Sequence, residues 1–184
     1  MSRNRRMQPG PTFVLLLLCT GCSLPIGPRE QTARPLSLPV SGPDAVVEAV
    51  ARNVFEAVNA ERRRHGLAPL EQDAALQRAA REHSEELARR GTLDHNSTDP
   101  QRRTMTMRIE AAGGTWTRAA ENLANTSGAA SEVPQRVVQM WLGSEGHRAN
   151  MLSSAYTHTG VGIALDSRGA WYITQLYVLP RTRR

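Results

Sequence analysis

The 184-residue chain contains no lysine, so all 23 of its basic residues are arginine. Aromatic residues make up only 4% of the sequence, which argues against the stacking platforms that bind single-stranded nucleic acid. Exclusive use of arginine together with abundant alanine is typical of a G+C-rich coding bias rather than of a selected phosphate-binding surface. The formal net charge of +6 must therefore be located along the chain before it indicates an anionic partner.

The net positive charge comes from outside residues 44–180. That region holds 15 Arg against 16 Asp and Glu, a net charge of −1. The remaining arginines lie near the two ends of the chain, where the only acidic residue is Glu30. A nearly neutral central region gives no reason to expect a nucleic-acid partner.

Cysteine is also scarce, because Cys19 and Cys22 are the only two in the chain. The region that follows them cannot contain an internal disulfide. A domain of that size can be stabilised by core packing alone.

The first 21 residues have the pattern of a secretory signal. Three arginines precede an apolar run over 13–18 and a group of small residues. The run is far shorter than the roughly 20 residues that a membrane-spanning helix needs. The ending resembles a bacterial lipobox, with Gly21 at the cleavage position and Cys22 as the acylated thiol, although Cys19 stands where leucine is usual. The alternative is an ordinary cleaved signal that happens to contain two cysteines.

Residues 22–43 are rich in proline, which predicts a tether between a membrane surface and a folded domain. We expect one domain over 44–180, followed by a basic tail over 181–184. No internal repeat is present. The arginines of the tether and tail favour an anionic membrane surface beside the anchor.

Hydrophobic periodicity predicts helices first and a strand pair last. Helical spacing predicts a helix over 44–65, and Asp73 and Gly91 delimit a second one. Further helices are expected over 104–112, 134–142 and 148–152, with strands near 120–123, 161–165 and 171–178. This order predicts an α+β layered domain rather than a doubly wound sheet.

Seven segments occur in the order found in one protein family. They are Val58-Asn59-Ala60-Glu61-Arg62, Gly66-Leu67-Ala68-Pro69-Leu70, Leu93-Asp94-His95, Glu121-Asn122-Leu123-Ala124, the run from Trp141 to Leu152, Gly160-Val161-Gly162-Ile163-Ala164, and Tyr172-Ile173-Thr174-Gln175. With them the chain resembles the CAP superfamily of cysteine-rich secretory proteins, antigen 5 and plant pathogenesis-related proteins, in its bacterial SCP-domain form. The resemblance covers nearly all of 46–178. It implies an α-β-α sandwich, with helices on both faces of a small antiparallel sheet.

The resemblance also implies a cleft in which two histidines and two acidic residues converge. His95 corresponds to the first histidine, Glu121 to the glutamate of the Glu-Asn-Leu/Ile segment, and His147 to the second histidine. The second acidic position falls on Ser144, and the adjacent Glu145 would point elsewhere on a helix. The four-residue set is therefore incomplete, which weakens a catalytic interpretation.

Two imidazoles and one carboxylate suit a divalent metal such as Zn²⁺, so His95, Glu121 and His147 are candidate ligands. Without a metal, a His–Glu pair can act as an oriented general base. A serine hydrolase is disfavoured because neither a nucleophile turn nor an oxyanion device surrounds Ser144. Purely structural roles for His95, Glu121 and His147 also stay open. His83 lies on an apolar helical stripe and is expected to be a core or cleft-lining residue.

Three functions remain open from the sequence. The favoured one is an exported, membrane-tethered and monomeric CAP-domain protein of the cell envelope, whose cleft binds a lipid-like or peptide ligand with or without a divalent metal. The second is a metal- or His/Glu-assisted hydrolase of envelope polymers or peptides. The third is an adhesive or structural module. The alternative to a lipid-anchored location at the cell envelope is a secreted or periplasmic location.

Overall fold

The computed structural model describes residues 42–181. The predicted signal sequence, most of the tether, the lipidation site Cys22 and residues 182–184 of the tail lie outside the described residues. Within 42–181, no helix combines the length and the apolar character needed to cross a membrane.

The described residues form five α-helices and four β-strands. The helices are α1 (Pro43–Arg64), α2 (Ala74–Arg90), α3 (Met105–Ala111), α4 (Val133–Gly143) and α5 (Glu145–Met151). The strands are β1 (Glu71–Gln72), β2 (Arg118–Thr126), β3 (His158–Leu165) and β4 (Trp171–Leu179). A short 3-10 helix spans Pro100–Arg102.

Helix α2 begins and ends where the sequence signals predict. The Asp73 side chain accepts hydrogen bonds from the backbone N–H groups of Ala75 and Leu76, which have no partner inside the helix. Gly91 follows the last turn with a left-handed backbone, φ 65°, a conformation that glycine adopts without steric cost. The predicted helix limits are therefore confirmed.

The sheet has the strand order β1-β3-β4-β2. Strands β2 and β3 both pair antiparallel with β4, as expected, whereas β1 pairs parallel with β3. The sheet is thus mixed rather than purely antiparallel. The sequence did not reveal β1, because a two-residue strand has no periodicity that a pattern could show. Strand β2 is also longer than predicted, since its pairing with β4 continues from Arg118 to Thr126.

Helices cover both faces of the sheet, which confirms the predicted α-β-α sandwich. On one face, valines of α1 and α4 and Trp141 pack against Ile163, Ile173 and Tyr177. On the other face, α2 packs against Tyr172, Leu176 and Val178. Successive side chains of β4 therefore point to opposite faces of the sheet, and both faces are buried.

Arg62 fastens the end of α1 to the segment that follows α5. This buried guanidinium donates to the carbonyl oxygens of Ala68, Met151 and Ser153 at 2.8–3.0 Å. Burial lowers the pKa of Arg62, and the carbonyls supply the partial negative charge that a buried cation requires. The contact fixes the position of α5, which carries His147.

Helix α2 lies directly on β3 at two glycines. A Cβ atom at Gly162 would overlap the backbone of Ala80 and Arg81, and one at Gly160 would overlap the backbone of Leu76 and Gln77. Helix and strand backbones can approach this closely only without intervening side chains. Backbone, unlike a flexible side chain, cannot move aside locally.

We expect Gly162→Ala to destabilise the protein by about 3 kcal/mol or more, because the added methyl group must separate α2 from the sheet. Urea denaturation followed by circular dichroism measures this change. Gly143→Ala is the matched control, since nothing lies within 4 Å of its added Cβ. Equal stability of the two variants would contradict close α2–β3 packing.

Candidate functional site

A buried carboxylate on β2 organises the candidate site. The Glu121 side chain is 3% exposed. Its Oε1 accepts a hydrogen bond from Nδ1 of His95 at 2.8 Å, and its Oε2 accepts one from the Arg108 guanidinium at 2.6 Å. The carboxylate is therefore neutralised by a cation and has both oxygens engaged.

Arg108, on α3, connects Glu121 to the loop that carries His95. Its Nη1 donates to the backbone oxygens of His95 and Arg103, both at 3.1 Å. The sequence interpretation missed this residue. An arginine beside Ile109 in a short predicted helix is the only local signal, and it does not distinguish Arg108 from an exposed arginine.

His95 presents its second ring nitrogen to solvent. Because Nδ1 faces a carboxylate, Nδ1 carries the proton in the neutral ring and Nε2 carries the lone pair. The side chain is 61% exposed. The hydrogen bond to Glu121 raises the pKa of His95, against burial and the Arg108 charge, which lower it. The arrangement suits a hydrogen-bond acceptor or a general base.

The His95 loop is attached to α2 by Glu86 and His83. The Glu86 carboxylate accepts from the Ser97 hydroxyl at 2.6 Å and from the backbone N–H of Thr98 at 2.8 Å. Burial raises the pKa of Glu86, but these hydrogen bonds outweigh it and lower the pKa to about 2. The Nε2–H of His83 donates to the carbonyl oxygen of Asp94 at 3.0 Å.

His147 lies in α5, whose position is set by two asparagines. Asn122 donates to the backbone oxygen of His147, and Asn150 donates to the side-chain oxygen of Asn122, both at 2.9 Å. Burial lowers the pKa of His147, and the charge of His95 lowers it further.

Ser144 lies at the junction of α4 and α5, and its side chain makes no capping hydrogen bond. Glu145 is exposed in the first turn of α5, so it does not replace the missing acidic residue. No base is hydrogen-bonded to the Ser144 hydroxyl within 42–181 to activate it as a nucleophile.

Within residues 42–181, no group of three or more His, Cys, Asp or Glu side chains is placed so that it could hold a metal ion. Both oxygens of Glu121 accept hydrogen bonds, one from His95 and one from Arg108. Glu121 fits the role of a carboxylate that orients an imidazole rather than that of a ligand. Metal binding by His95, Glu121 and His147 stays a prediction.

An open cleft of about 380 Å³ lies beside His95. We call it the His95 cleft; it is lined by His95, Asn96, Thr104, Met105, Thr106 and Glu121. Imidazole, amide and hydroxyl groups predominate in this lining. Neither Ser144 nor His147 is among the lining residues.

Comparison with known proteins identifies the family. The model of the CAP family, described as the cysteine-rich secretory protein family, matches residues 55–177. The chain belongs to the CAP family. The resemblance inferred from ordered sequence segments is therefore confirmed.

The CAP domain has curated relatives in Bacillus subtilis strain 168. The chain is 34% identical over 147 residues to the uncharacterized protein YkwD, and the match covers 80% of this chain and 53% of YkwD. It is also 34% identical over 114 residues to the uncharacterized membrane protein YlbC, covering 61% of this chain and 31% of YlbC. The chain thus spans about half and about a third of these relatives.

Solved structures confirm the CAP fold. An extracellular SCP-domain protein from Bacillus anthracis matches with a TM-score of 0.62 and 28% identity, over 74% of this chain and 43% of that one. An outer surface protein of Borrelia burgdorferi matches with a TM-score of 0.65 and 19% identity, over 73% and 96%. The second likeness concerns the fold alone.

We expect Glu121→Gln to lower the pKa of His95, because the amide cannot stabilise the imidazolium as the carboxylate does. In the unchanged protein the pKa of His95 is raised by folding. The His95–Glu121 pair therefore stabilises the fold at pH values below about 6.5, the ordinary pKa of histidine. This stabilisation is lost as the pH rises through the pKa of His95 in the folded protein. NMR titration of the histidine rings measures the shift. The exposed His65 serves as internal control, and an unchanged His95 titration would contradict the pairing.

Proposed function

We propose that this protein is an exported CAP-domain protein that binds a peptide-like ligand in the His95 cleft. The observation that carries the proposal is the chain of contacts from Arg108 through Glu121 to His95. This chain fixes the imidazole and directs a lone pair on Nε2 toward solvent. A pre-oriented acceptor in an open cleft binds a donor group without a large loss of conformational entropy.

The lining of the His95 cleft supports a peptide over a lipid chain. Asn96, Thr104 and Thr106 offer both donors and acceptors, as a peptide backbone requires. Met105 is the one large apolar side chain in the lining. An acyl chain would leave most of these polar groups without partners, which costs free energy.

Hydrolysis is the second candidate, because an imidazole oriented by a carboxylate is also the geometry of a general base. Such an enzyme would use His95 to remove a proton from water. Binding is preferred because Ser144 has no base bound to it, and because no acidic residue stands at the second acidic position of the family pattern.

We expect His95→Ala to weaken peptide binding about tenfold or more, since it removes a hydrogen bond from an oriented ring. The probe is a fluorescently labelled library of random decapeptides, measured by anisotropy with the full chain. His65→Ala is the matched control and is expected to bind like the unchanged protein. Unaltered binding by His95→Ala would refute the proposed site, and peptide cleavage that is lost in this variant would favour the hydrolase.

We also propose that the protein is anchored to a membrane through Cys22. The support for the anchor is the Gly21-Cys22 pair after a short apolar run. The extracellular SCP-domain protein among the structural relatives supports export. An acyl anchor would place the CAP domain at the cell envelope, with the proline-rich residues 22–43 as spacer.

We expect Cys22→Ser to move the protein from the membrane to the soluble fraction, because the acylated thiol is lost. Cell fractionation and immunoblotting measure the distribution. Cys19→Ser is the matched control and is expected to remain in the membrane. Retention of Cys22→Ser in the membrane would refute acylation at this residue.

A further inference from the structure

An open apolar groove of about 520 Å³ runs along the first turns of α1. We call it the α1 groove; one side of α1, from Gly42 to Asn53, and residues 130–131 line it. None of the described lining residues carries a charge. The groove shares no residue with the His95 cleft, so it needs an explanation of its own.

The α1 groove extends the apolar core to the surface. Val50 in its lining is 2% exposed and belongs to the core cluster, and Ala130 packs against that cluster. Val46, one turn earlier on α1, is 45% exposed. A single exposed valine is ordinary, but this one borders a groove that is continuous with the core. The groove can therefore bury further apolar side chains.

The α1 groove begins where the tether joins the domain. Gly42 lines the groove and is also the N-cap residue of α1, with an extended backbone, φ −169° and ψ 173°. The four residues directly before it are Leu38-Pro39-Val40-Ser41, which include two large apolar side chains and no charge. Because these side chains are covalently attached at the end of the groove, their effective concentration there is high.

The start of α1 favours a contact between Val40 and Val46. An apolar residue just before the N-cap of a helix often packs against the fourth helical residue and fixes the direction in which the chain enters. Val46 is the fourth residue after the N-cap Gly42. Ser41 precedes Gly42, so Val40 is the first apolar side chain that can make this contact.

The spacing of Leu38 and Val40 matches the spacing along α1. Pro39 restricts Leu38 to an extended conformation, and side chains two residues apart lie on one side of an extended segment, about 6.6 Å from each other. Val46 and Val50 are four residues apart on the helix, about 6 Å along its axis. A contact between Val40 and Val46 therefore brings Leu38 to the level of Val50.

We propose that residues 38–41 of the tether dock in the α1 groove, with Val40 against Val46 and Leu38 toward Val50. A second copy of the chain is a poorer occupant, because a stable interface uses about 20–30 residues on each side and the described lining of the groove has eight. Docking shortens the spacer to residues 22–37. The contact is independent of acylation at Cys22 and of ligand binding at His95.

Methyl NMR of the full chain with labelled leucine and valine tests the contact directly. We expect nuclear Overhauser effects from the methyl groups of Val46 to those of Val40, within one molecule. A mixture of differently labelled copies separates contacts within a chain from contacts between chains. The proposal is overturned if Val46 has no such effect with Val40, or if the effect arises only between copies.

Thiol labelling measures how completely the tether covers the groove. Val46→Cys is introduced into a chain whose two native cysteines are replaced by serine, and the rate of reaction with a maleimide is measured. A covered thiol reacts only from the undocked population, so we expect the added pair Leu38→Ser and Val40→Ser to speed labelling about fivefold or more. Both serines lie outside the folded domain and leave its core intact.

Met140→Cys is the matched control for the labelling experiment. Met140 is 43% exposed on α4 and does not line the α1 groove. Its labelling rate is expected to be the same with and without Leu38→Ser and Val40→Ser. An unchanged rate at Val46→Cys, or an equal acceleration at both positions, would overturn docking of the tether in the groove.

Discussion

The ion pair between Glu121 and Arg108 is the interaction on which the rest of the site depends. Both side chains are almost fully buried, where an unpaired charge is strongly unfavourable. Removing one partner of such a pair typically costs 3–5 kcal/mol, because the other charge stays buried without compensation. The same carboxylate orients His95, so the stability of the domain and the geometry of the site rely on one contact.

The site is assembled from elements that are distant in sequence. Strand β2 supplies Glu121, α3 supplies Arg108, and α5 supplies His147, while α2 fastens the loop that carries His95. Close packing of α2 on β3 fixes the distance between these layers. A rigid frame of this kind holds a ligand-binding loop in one conformation, which favours recognition over rearrangement.

The chemistry available follows from how the polar atoms are used. Glu121 accepts hydrogen bonds from His95 and Arg108, and the first of these orients the His95 ring. The lone pair on Nε2 of His95 faces an open cleft, and the neighbouring His147 has a lowered pKa. An imidazole oriented by a carboxylate can accept a hydrogen bond or act as a general base.

The sequence by itself determined the elements and the family. Helical periodicity located α1 and α2, Asp73 and Gly91 marked the limits of α2, and the strand patterns over 161–165 and 171–178 indicated the β3–β4 pair, because these signals depend on near neighbours. Only the tertiary structure decided that β1 exists, that β2 extends to nine residues, and that Arg108 belongs to the site. Each of these depends on a partner brought close by folding, such as β4 for β2 or Glu121 for Arg108, and no local pattern encodes that proximity.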